Sequence, residues 1–260
     1  MDNTMRLKRW FHTLPGMLSA MAVIITVITG LVVAAYQLKT ATPIPQIDIQ
    51  DGLIAYYPFN GNANDNSGNR NDGKIFGAVL TSDRKGNLRS AFEFDGIDNY
   101  IYVQGSESLN FTTKLTITVW IKTSRTLPFA GIVIKAPPNE PRNGYGLCVD
   151  DNQKIRADIT WDHSIPINAV VVSEIKITDG RWYFVATTYD GEIARLYIDG
   201  LLQGAKAYRQ GAGGNVEPLL IGWDRNTWLS HRHFEGIIDE VRLYNRALNE
   251  KELKYLMEQF

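Results

Sequence analysis

The sequence predicts an all-β fold, an antiparallel sandwich of two sheets, preceded by one transmembrane helix and ending in a short helix. Three observations lead to this prediction. Short stretches of alternating apolar and polar residues recur along the chain, separated by turns rich in Gly, Asp and Asn. No helical repeats lie between these stretches, which excludes a parallel α/β sheet. An apolar segment without charges stands near the N-terminus, and the helical pattern at the other end is confined to the last residues.

The stretch Arg181–Leu202 carries the clearest strand pattern. Its first half alternates with the period of two that a pleated strand imposes. Asp190-Gly191 then supplies a tight turn, because Gly adopts a positive φ without steric cost. The return strand alternates in the same way and ends at a second turn, Asp199-Gly200. Two such turns so close together predict an antiparallel meander in the middle of a sheet.

Composition narrows the class of protein. The chain has 260 residues, a length that is enough for one large domain plus an appendage. Its formal charge is -1. The near-zero charge offers no argument for a nucleic-acid partner. A single cysteine, Cys148, excludes an intrachain disulfide. It lies in an alternating run with no histidine motif beside it, so we interpret it as a small buried residue rather than a catalytic thiol.

Residues 17–38 form an apolar run with no charged side chain inside it. About 20 residues rising about 1.5 Å each cross a hydrocarbon core of about 30 Å, so we expect a transmembrane helix that contacts the lipid bilayer. Arg6, Lys8 and Arg9 precede the run, which predicts a cytoplasmic N-terminus over residues 1–16 and an extracytoplasmic C-terminal domain. One alternative is a cleaved signal peptide, although the run is longer than the apolar region of a usual signal peptide. Another is a buried core helix, although the run has no polar face.

Residues 39–50 are predicted to be a linker, because Pro43 and Pro45 disfavour a helix and stiffen the chain. The globular domain is expected over residues 51–260, with a long polar loop at residues 60–73. Apart from the meander, strands are predicted at residues 53–59, 91–94, 100–103, 115–123, 131–134, 145–149, 155–161, 170–172, 218–222 and 236–244. Asn249 and Glu252 have the spacing of a helix cap before the apolar stripe Leu253, Leu256 and Met257.

Four segments, taken in order, carry a resemblance to a known family. They are residues 54–69, residues 92–100 (FEFDGIDNY), residues 182–200 and residues 236–248 (GIIDEVRLYNRAL). Together they resemble the laminin G-like domains of the concanavalin A-like superfamily, from about Asp51 to the C-terminus. The resemblance implies a jelly roll with one concave and one convex sheet. It also implies a module that binds carbohydrate or protein, often with calcium.

Asp239 is the first candidate for a metal ligand. By strict alternation it shares a strand face with Val241 and Leu243, where a carboxylate is costly unless it is hydrogen-bonded, paired or bound to a metal. In relatives of this fold a structural calcium joins an N-terminal loop to an aspartate near the final strand. The resemblance therefore implies a calcium site formed by Asp65, Asn69 and Asp239. The alternative is a carboxylate that only accepts hydrogen bonds.

A second group of residues suggests a ligand site. The pentraxins, similar in fold, place an Asp-Asn pair where this chain has Asp98 and Asn99, and use it with later acidic residues to bind calcium. Asp224 and Asn226 follow a predicted strand and are expected to approach that pair. Trp223 and Trp228 lie in the same loop, as do His231 and His233, and aromatic faces stack on sugar rings. The alternative interpretation is a simple turn beside aromatic packing.

We therefore expect a recognition module that binds a glycan or a cell-surface protein, and not an enzyme. Glycosidases share the fold and need two carboxylates about 5–10 Å apart. The run Glu93–Asp98 is close to the signature of one such family but ends in Asp, and the laminin G-like motif accounts for it. A glycoside hydrolase and a purely structural scaffold are the alternatives.

Overall fold

The computed structural model describes residues 14–40, 47–138, 144–160, 169–209, 211, 214–225 and 232–259. The chain divides into two compact units, Met1–Gln46 and Ile47–Phe260. The first contains helix α1 (Leu14–Thr40). Within the described residues, no helix is both long and apolar enough to cross a membrane. The structure therefore shows a helix at residues 17–38, but it does not support the prediction that this helix is transmembrane.

The second unit is the predicted all-β sandwich of two antiparallel sheets. In the described part of the chain one sheet has eight strands: β1 (Leu53–Tyr57), β3 (Val79–Thr81), β4 (Ala91–Asp95), β6 (Leu115–Lys122), β11 (Trp182–Tyr189), β12 (Ile193–Ile198), β13 (Leu201–Ala207) and β15 (Glu235–Tyr244). Their order is β13-β12-β11-β6-β15-β4-β3, with β1 paired to β15.

The other sheet has seven strands in the described residues: β2 (Gly73–Phe76), β5 (Tyr100–Val103), β7 (Ala130–Lys135), β8 (Gly144–Val149), β9 (Lys154–Thr160), β10 (Ala169–Lys176) and β14 (Leu219–Ile221). Their order is β10-β9-β8-β7-β14-β5-β2. The short strands β2 and β3 are absent from the sequence prediction. Strand β2 begins at Gly73, the last residue of the predicted loop. This strand is short and directly follows the polar loop, so its pattern gives little signal in the sequence.

The meander forms as predicted, but its position in the sheet is different. Strands β11 and β12 pair around the turn at Asp190-Gly191, and β12 pairs with β13 around Asp199-Gly200. The prediction that the meander lies in the middle of a sheet is wrong, because β13 is an edge strand. The exposed side chains of Leu201 and Leu202 in β13 are consistent with this edge position.

A β-bulge in β15 reverses the expected position of Asp239. Asp239 pairs with Trp120 and Arg242 pairs with Thr118, so Glu240 and Val241 together oppose one residue of β6. Glu240 has a φ of 53°, which absorbs the extra residue. Val241 and Leu243 belong to the core between the sheets. The prediction that Asp239 shares their face is therefore wrong: its side chain lies on the outer face of the eight-stranded sheet.

The outer face, meaning the face of the eight-stranded sheet away from the core, is covered over part of its area. Helix α2 (Glu250–Gln259) forms as predicted, and its cap is reciprocal: Asn249 N donates to Glu252 Oε2 at 2.7 Å and Glu252 N donates to Asn249 Oδ1 at 3.1 Å. Leu253 and Leu256 of this helix pack with Trp120 and Phe184 in a second apolar cluster. Nearby, the Arg84 guanidinium lies 4.3 Å from the Trp120 ring centroid.

Candidate functional site

The turn after β4 organises one end of the sandwich. The Asp95 carboxylate accepts hydrogen bonds from the backbone amides of Ile97 at 2.9 Å, Asp98 at 3.3 Å and Asn99 at 3.4 Å. Desolvation raises the pKa of Asp95, but these hydrogen bonds outweigh it and hold the pKa below its usual value. Asp95 is thus fixed as an anion. The predicted residue Asp98 is exposed in this turn, and Asn99 directly after it is buried.

Four rings form an aromatic ladder beside this turn. Phe76 and Tyr100 stack with centroids 4.7 Å apart, Tyr100 and Trp223 follow at 4.8 Å, and Trp223 and His233 stack at 5.1 Å with an interplanar angle of 4°. All four side chains are half-buried. Trp223 was a predicted site residue. Phe76 and Tyr100 were missed, although Tyr100 directly follows the Asp98-Asn99 pair, because a stack across strands has no spacing signal in the sequence.

The predicted residue Asp224 has a different environment from Trp223. A β-bridge pairs Trp223 with His233, and their rings stack as members of the ladder. Asp224 and Arg232, each one residue away along the chain, form a buried ion pair with 2.8 Å between Asp224 Oδ2 and Arg232 Nη1. The structure therefore brings Trp223 next to Tyr100 and directs the Asp224 carboxylate to Arg232. The predicted residues Asn226 and Trp228 lie outside the described residues, as does His231.

A groove of about 520 Å³ opens on the outer face of the eight-stranded sheet at the same end. Its lining includes one cross-strand row, in which Val79 pairs with Glu93, Glu93 with Ile237 and Ile237 with Lys122. These four residues come from β3, β4, β15 and β6. Trp120, two positions before Lys122 on the same face, lies under Arg84. The groove therefore occupies the part of the outer face beyond Arg84.

Charged groups line the groove on two sides. Glu93 and Asp95 stand on the same face of β4, two residues apart, and Asp95 pairs with Glu235 of β15. On the other side are Lys122 and Arg125, and Arg125 Nε donates to the Glu235 carboxylate at 2.9 Å and 3.0 Å. Asn99 also lines the groove and precedes Tyr100 of the ladder, so the predicted residue joins the two surfaces. The groove offers carboxylate acceptors opposite cationic donors.

Close contact at Gly77 fixes Asn99 between these surfaces. A Cβ on Gly77 would lie 1.9 Å from Asn99 Oδ1, and Gly77 has a φ of +73°. Only glycine satisfies both conditions without displacing the Asn99 amide. The turn between β2 and β3 therefore contributes to the site through backbone shape rather than through a side chain.

The predicted calcium ligands have other partners. Asp65 Oδ1 accepts from the amides of Tyr56 at 2.9 Å and Ser67 at 2.8 Å, and Oδ2 accepts from Ser67 Oγ and the Asn71 amide, both at 2.9 Å. Asn69 Nδ2 donates to the Ile54 carbonyl at 3.0 Å. These hydrogen bonds connect the loop to strand β1.

Asp239 is buried, and its Oδ1 accepts from the Glu240 amide at 2.8 Å. Desolvation, with the nearby charge of Glu240, raises its pKa to about 8. Among the described residues, no group of three or more His, Cys, Asp or Glu side chains is arranged to hold a metal ion. These contacts do not fit one calcium ion shared by Asp65, Asn69 and Asp239. The calcium site stays a prediction of the sequence.

Comparison with known proteins gives the family and the fold. A sequence model of a family described as the concanavalin A-like lectin/glucanases superfamily matches residues 95–254. No curated protein matches the chain. Among solved structures, the binding domain of Paraclostridial mosquitocidal protein 1 has a TM-score of 0.66 at 20% identity, and the match covers 81% of this chain and 52% of that chain. This chain thus spans about half the length of that structure.

Two further similar structures contain bound sugars. Domain 4 of AbnA, an extracellular arabinanase from Geobacillus stearothermophilus in complex with arabinotriose, has a TM-score of 0.61 at 20% identity, with 79% of this chain and 98% of that chain covered. The ligand-binding domain of botulinum neurotoxin serotype D in complex with N-acetylneuraminic acid has a TM-score of 0.63 at 18% identity, with 81% and 51% covered. At these identities the similarity shows the fold alone.

Proposed function

Because the chain belongs to the concanavalin A-like lectin/glucanases superfamily, we propose that its β-sandwich is a carbohydrate-recognition module that binds a saccharide at the Asp95–Asn99 end. The observation that carries the proposal is the groove of about 520 Å³, with carboxylates on β4 opposite the cations Lys122 and Arg125. A sugar hydroxyl both donates and accepts hydrogen bonds, so it matches a groove with both kinds of group. The sugar-bound structures of the same fold support this choice.

The aromatic ladder extends the proposed site. Tyr100 packs between Phe76 and Trp223, and Trp223 packs between Tyr100 and His233, so the exposed ring edges of these half-buried residues, rather than their faces, are what the C–H groups of a sugar would contact. Asn99 joins the ladder to the groove. The ladder lies on the outer face of the seven-stranded sheet, because Tyr100 alternates along β5 with the core residue Ile101, so it gives the proposed site a second surface.

The test is a glycan array probed with the full-length chain in mild detergent, followed by calorimetry on the glycans that bind. Glu93→Gln should weaken binding, because it removes a charged acceptor from the groove. Glu174→Gln makes the same change at an exposed position of the edge strand β10 and serves as the matched control. Binding that is unaffected by both substitutions would place the ligand elsewhere, and absence of binding to every glycan would reject the proposal.

A cell-surface protein as ligand and a purely structural role are the competing functions, and no observation on the described residues favours either over a saccharide. A glycoside hydrolase has one observation in its favour, since Glu93, Asp95 and Glu235 line the same groove. The hydrogen bonds that hold Asp95 as an anion make it unsuitable as a general acid. A reducing-sugar assay on the bound glycans separates the classes, because turnover abolished by Glu93→Gln would indicate an enzyme.

Attachment to a lipid bilayer stays a prediction of the sequence, as does the extracytoplasmic location of residues 51–260. Its support is the charge-free run at residues 17–38 after Arg6, Lys8 and Arg9. Protease treatment of intact cells or spheroplasts tests it. Removal of the β-sandwich with protection of the N-terminus would support this topology, and protection of the β-sandwich would reject it.

A further inference from the structure

We propose that the groove selects neutral saccharides over saccharides that carry a carboxylate. This inference rests on the proposed function and names the class of ligand that the same site takes. It departs from what one similar structure would suggest, since that domain is in complex with N-acetylneuraminic acid, which is acidic. The argument comes from the charges that line the groove and from their partners.

The wall on β4 carries two negative charges. Glu93 and Asp95 are two residues apart on one strand, so both side chains point to the outer face about 7 Å apart along the strand. Asp95 is held as an anion by three backbone amides, and protonation would weaken all three hydrogen bonds. In the described part of the chain, the Glu93 carboxylate has no ion-pair partner. A ligand carboxylate near this wall therefore meets the charge of Glu93, which no cation of the described residues compensates.

The opposite wall does not offset this repulsion. Arg125 is paired with Glu235, whose carboxylate is itself part of the lining, so this cation is largely neutralised before a ligand arrives. Lys122 makes no ion pair within the described residues and is the cation that remains. Three carboxylates against two cations leave the groove with a net negative charge. A ligand carboxylate would therefore have to bind at Lys122 while facing Glu93 across Ile237.

The floor of the groove favours a neutral ring. Val79, with 62% of its surface exposed, and Ile237 lie on either side of Glu93 in the cross-strand row. Apolar side chains at this position contact the C–H face of a sugar, and hydroxyls at the ring edge donate to Glu93 and accept from Lys122. A neutral sugar satisfies both walls, because each hydroxyl serves as donor or acceptor. An acidic sugar satisfies Lys122 alone.

The experiment measures dissociation constants of the full-length chain for matched glycan pairs. A galactose trisaccharide is compared with the galacturonic acid trisaccharide of the same linkage, and lactose with sialyllactose. We expect the acidic member of each pair to bind at least about fivefold more weakly, the effect of one unit-charge repulsion near 4 Å in water. The difference should decrease with added salt, because exposed charges are screened. Glu93→Gln should reduce the difference, and the edge-strand control Glu174→Gln should leave it unchanged.

The outcomes separate this inference from the proposed function. If no glycan of either class binds, the proposed function fails. If glycans bind but the acidic members bind equally well or better, the function stands and the selectivity is wrong. If neutral glycans are preferred and Glu93→Gln leaves the preference intact, the groove is not its source and the inference is also wrong. Thermal melting of each variant shows whether a lost preference reflects a lost fold.

Discussion

Asp239 lies opposite Trp120 across β15 and β6, and both side chains are directed to the outer face of the eight-stranded sheet. Both are buried, and the Trp120 indole Nε1 has no hydrogen-bond partner among the residues that the structure describes. Arg84 covers the Trp120 ring, and its positive charge lowers the pKa of Asp239, but by less than desolvation raises it. The strand pair thus holds a carboxyl group in a poorly solvated position, which accounts for its raised pKa.

The first prediction concerns the pH dependence of stability. The pKa of Asp239 is about 8 in the folded protein against an ordinary value of 3.8, so between these values the folded state keeps a proton that the unfolded state has released. Its contribution to stability is fully present below about pH 4 and is lost as the pH rises through the folded-state pKa. Asp239→Asn keeps an oxygen for the Glu240 amide and cannot ionise. We expect it to raise the melting temperature near pH 8 and to flatten the profile between pH 5 and 9.

Glu174→Gln provides the control for this prediction, since it removes an exposed carboxylate from β10 and should leave the profile unchanged. A profile for Asp239→Asn that is parallel to that of the unsubstituted protein would show that the carboxyl group is ionised throughout this range, contrary to the prediction.

The second prediction concerns the aromatic ladder. Trp223→Ala removes the ring that contacts both Tyr100 and His233, and we expect glycan binding to weaken roughly tenfold, equivalent to about 1.4 kcal/mol. Trp223→Phe retains a ring and should retain most of the affinity. Calorimetry with the glycans found on the array measures both. Equal binding by the alanine and phenylalanine variants would remove the ladder from the proposed site.

The third prediction concerns calcium. Since four hydrogen bonds already engage the Asp65 carboxylate, we expect a chelator to leave the melting temperature of the protein unchanged. A ligand that binds only the folded state would stabilise it by about 2.7 kcal/mol at a hundredfold excess over its dissociation constant. A fall in melting temperature with chelator, recovered by added calcium and blunted by Asp239→Asn, would establish the site predicted from the family resemblance. Elemental analysis of the purified chain gives an independent answer.

The fourth prediction concerns Gly222, which leads from β14 to Trp223. A Cβ there would lie 2.4 Å from two ring atoms of Phe94, and Gly222 has a φ of +87°. We expect Gly222→Ala to lower the free energy of unfolding by roughly 2–4 kcal/mol, through steric overlap and backbone strain together. Gly68→Ala is the matched control, since its φ is +93° and a Cβ would meet no atom within 4 Å. Urea unfolding measures the free energy of unfolding of both variants. Equal losses would mean that backbone strain alone accounts for the effect and that overlap with Phe94 contributes nothing.

Local signals were the ones that the sequence could predict. The turn at Asp190-Gly191 forms with Asp190 Oδ1 accepting from the amides of Glu192 at 2.9 Å and Ile193 at 2.8 Å, and both partners lie within three residues. The helix cap at Asn249 and Glu252 is similarly local. Such contacts depend on spacing along one segment, so a single sequence carries enough information to predict them.

The face of Asp239 could not be predicted, because a bulge has no periodic signal. Strict alternation places Asp239 with Val241, whereas the extra residue at Glu240 turns it to the opposite side. The same single shift leaves Arg242 and Tyr244 on the outer face and keeps Leu243 in the core. One unpaired residue therefore decided which side of the sheet received the buried carboxyl group.

Residue type and short spacing along the chain were enough to predict the all-β class, the meander and the capped helix. The groove, in contrast, is formed by tertiary contacts. Its row joins Val79, Glu93, Ile237 and Lys122, which lie far apart in the chain and become neighbours through the pairing of four strands. Strand order and register are set by how the two sheets bury their apolar faces together, a property of the whole domain that no segment carries alone.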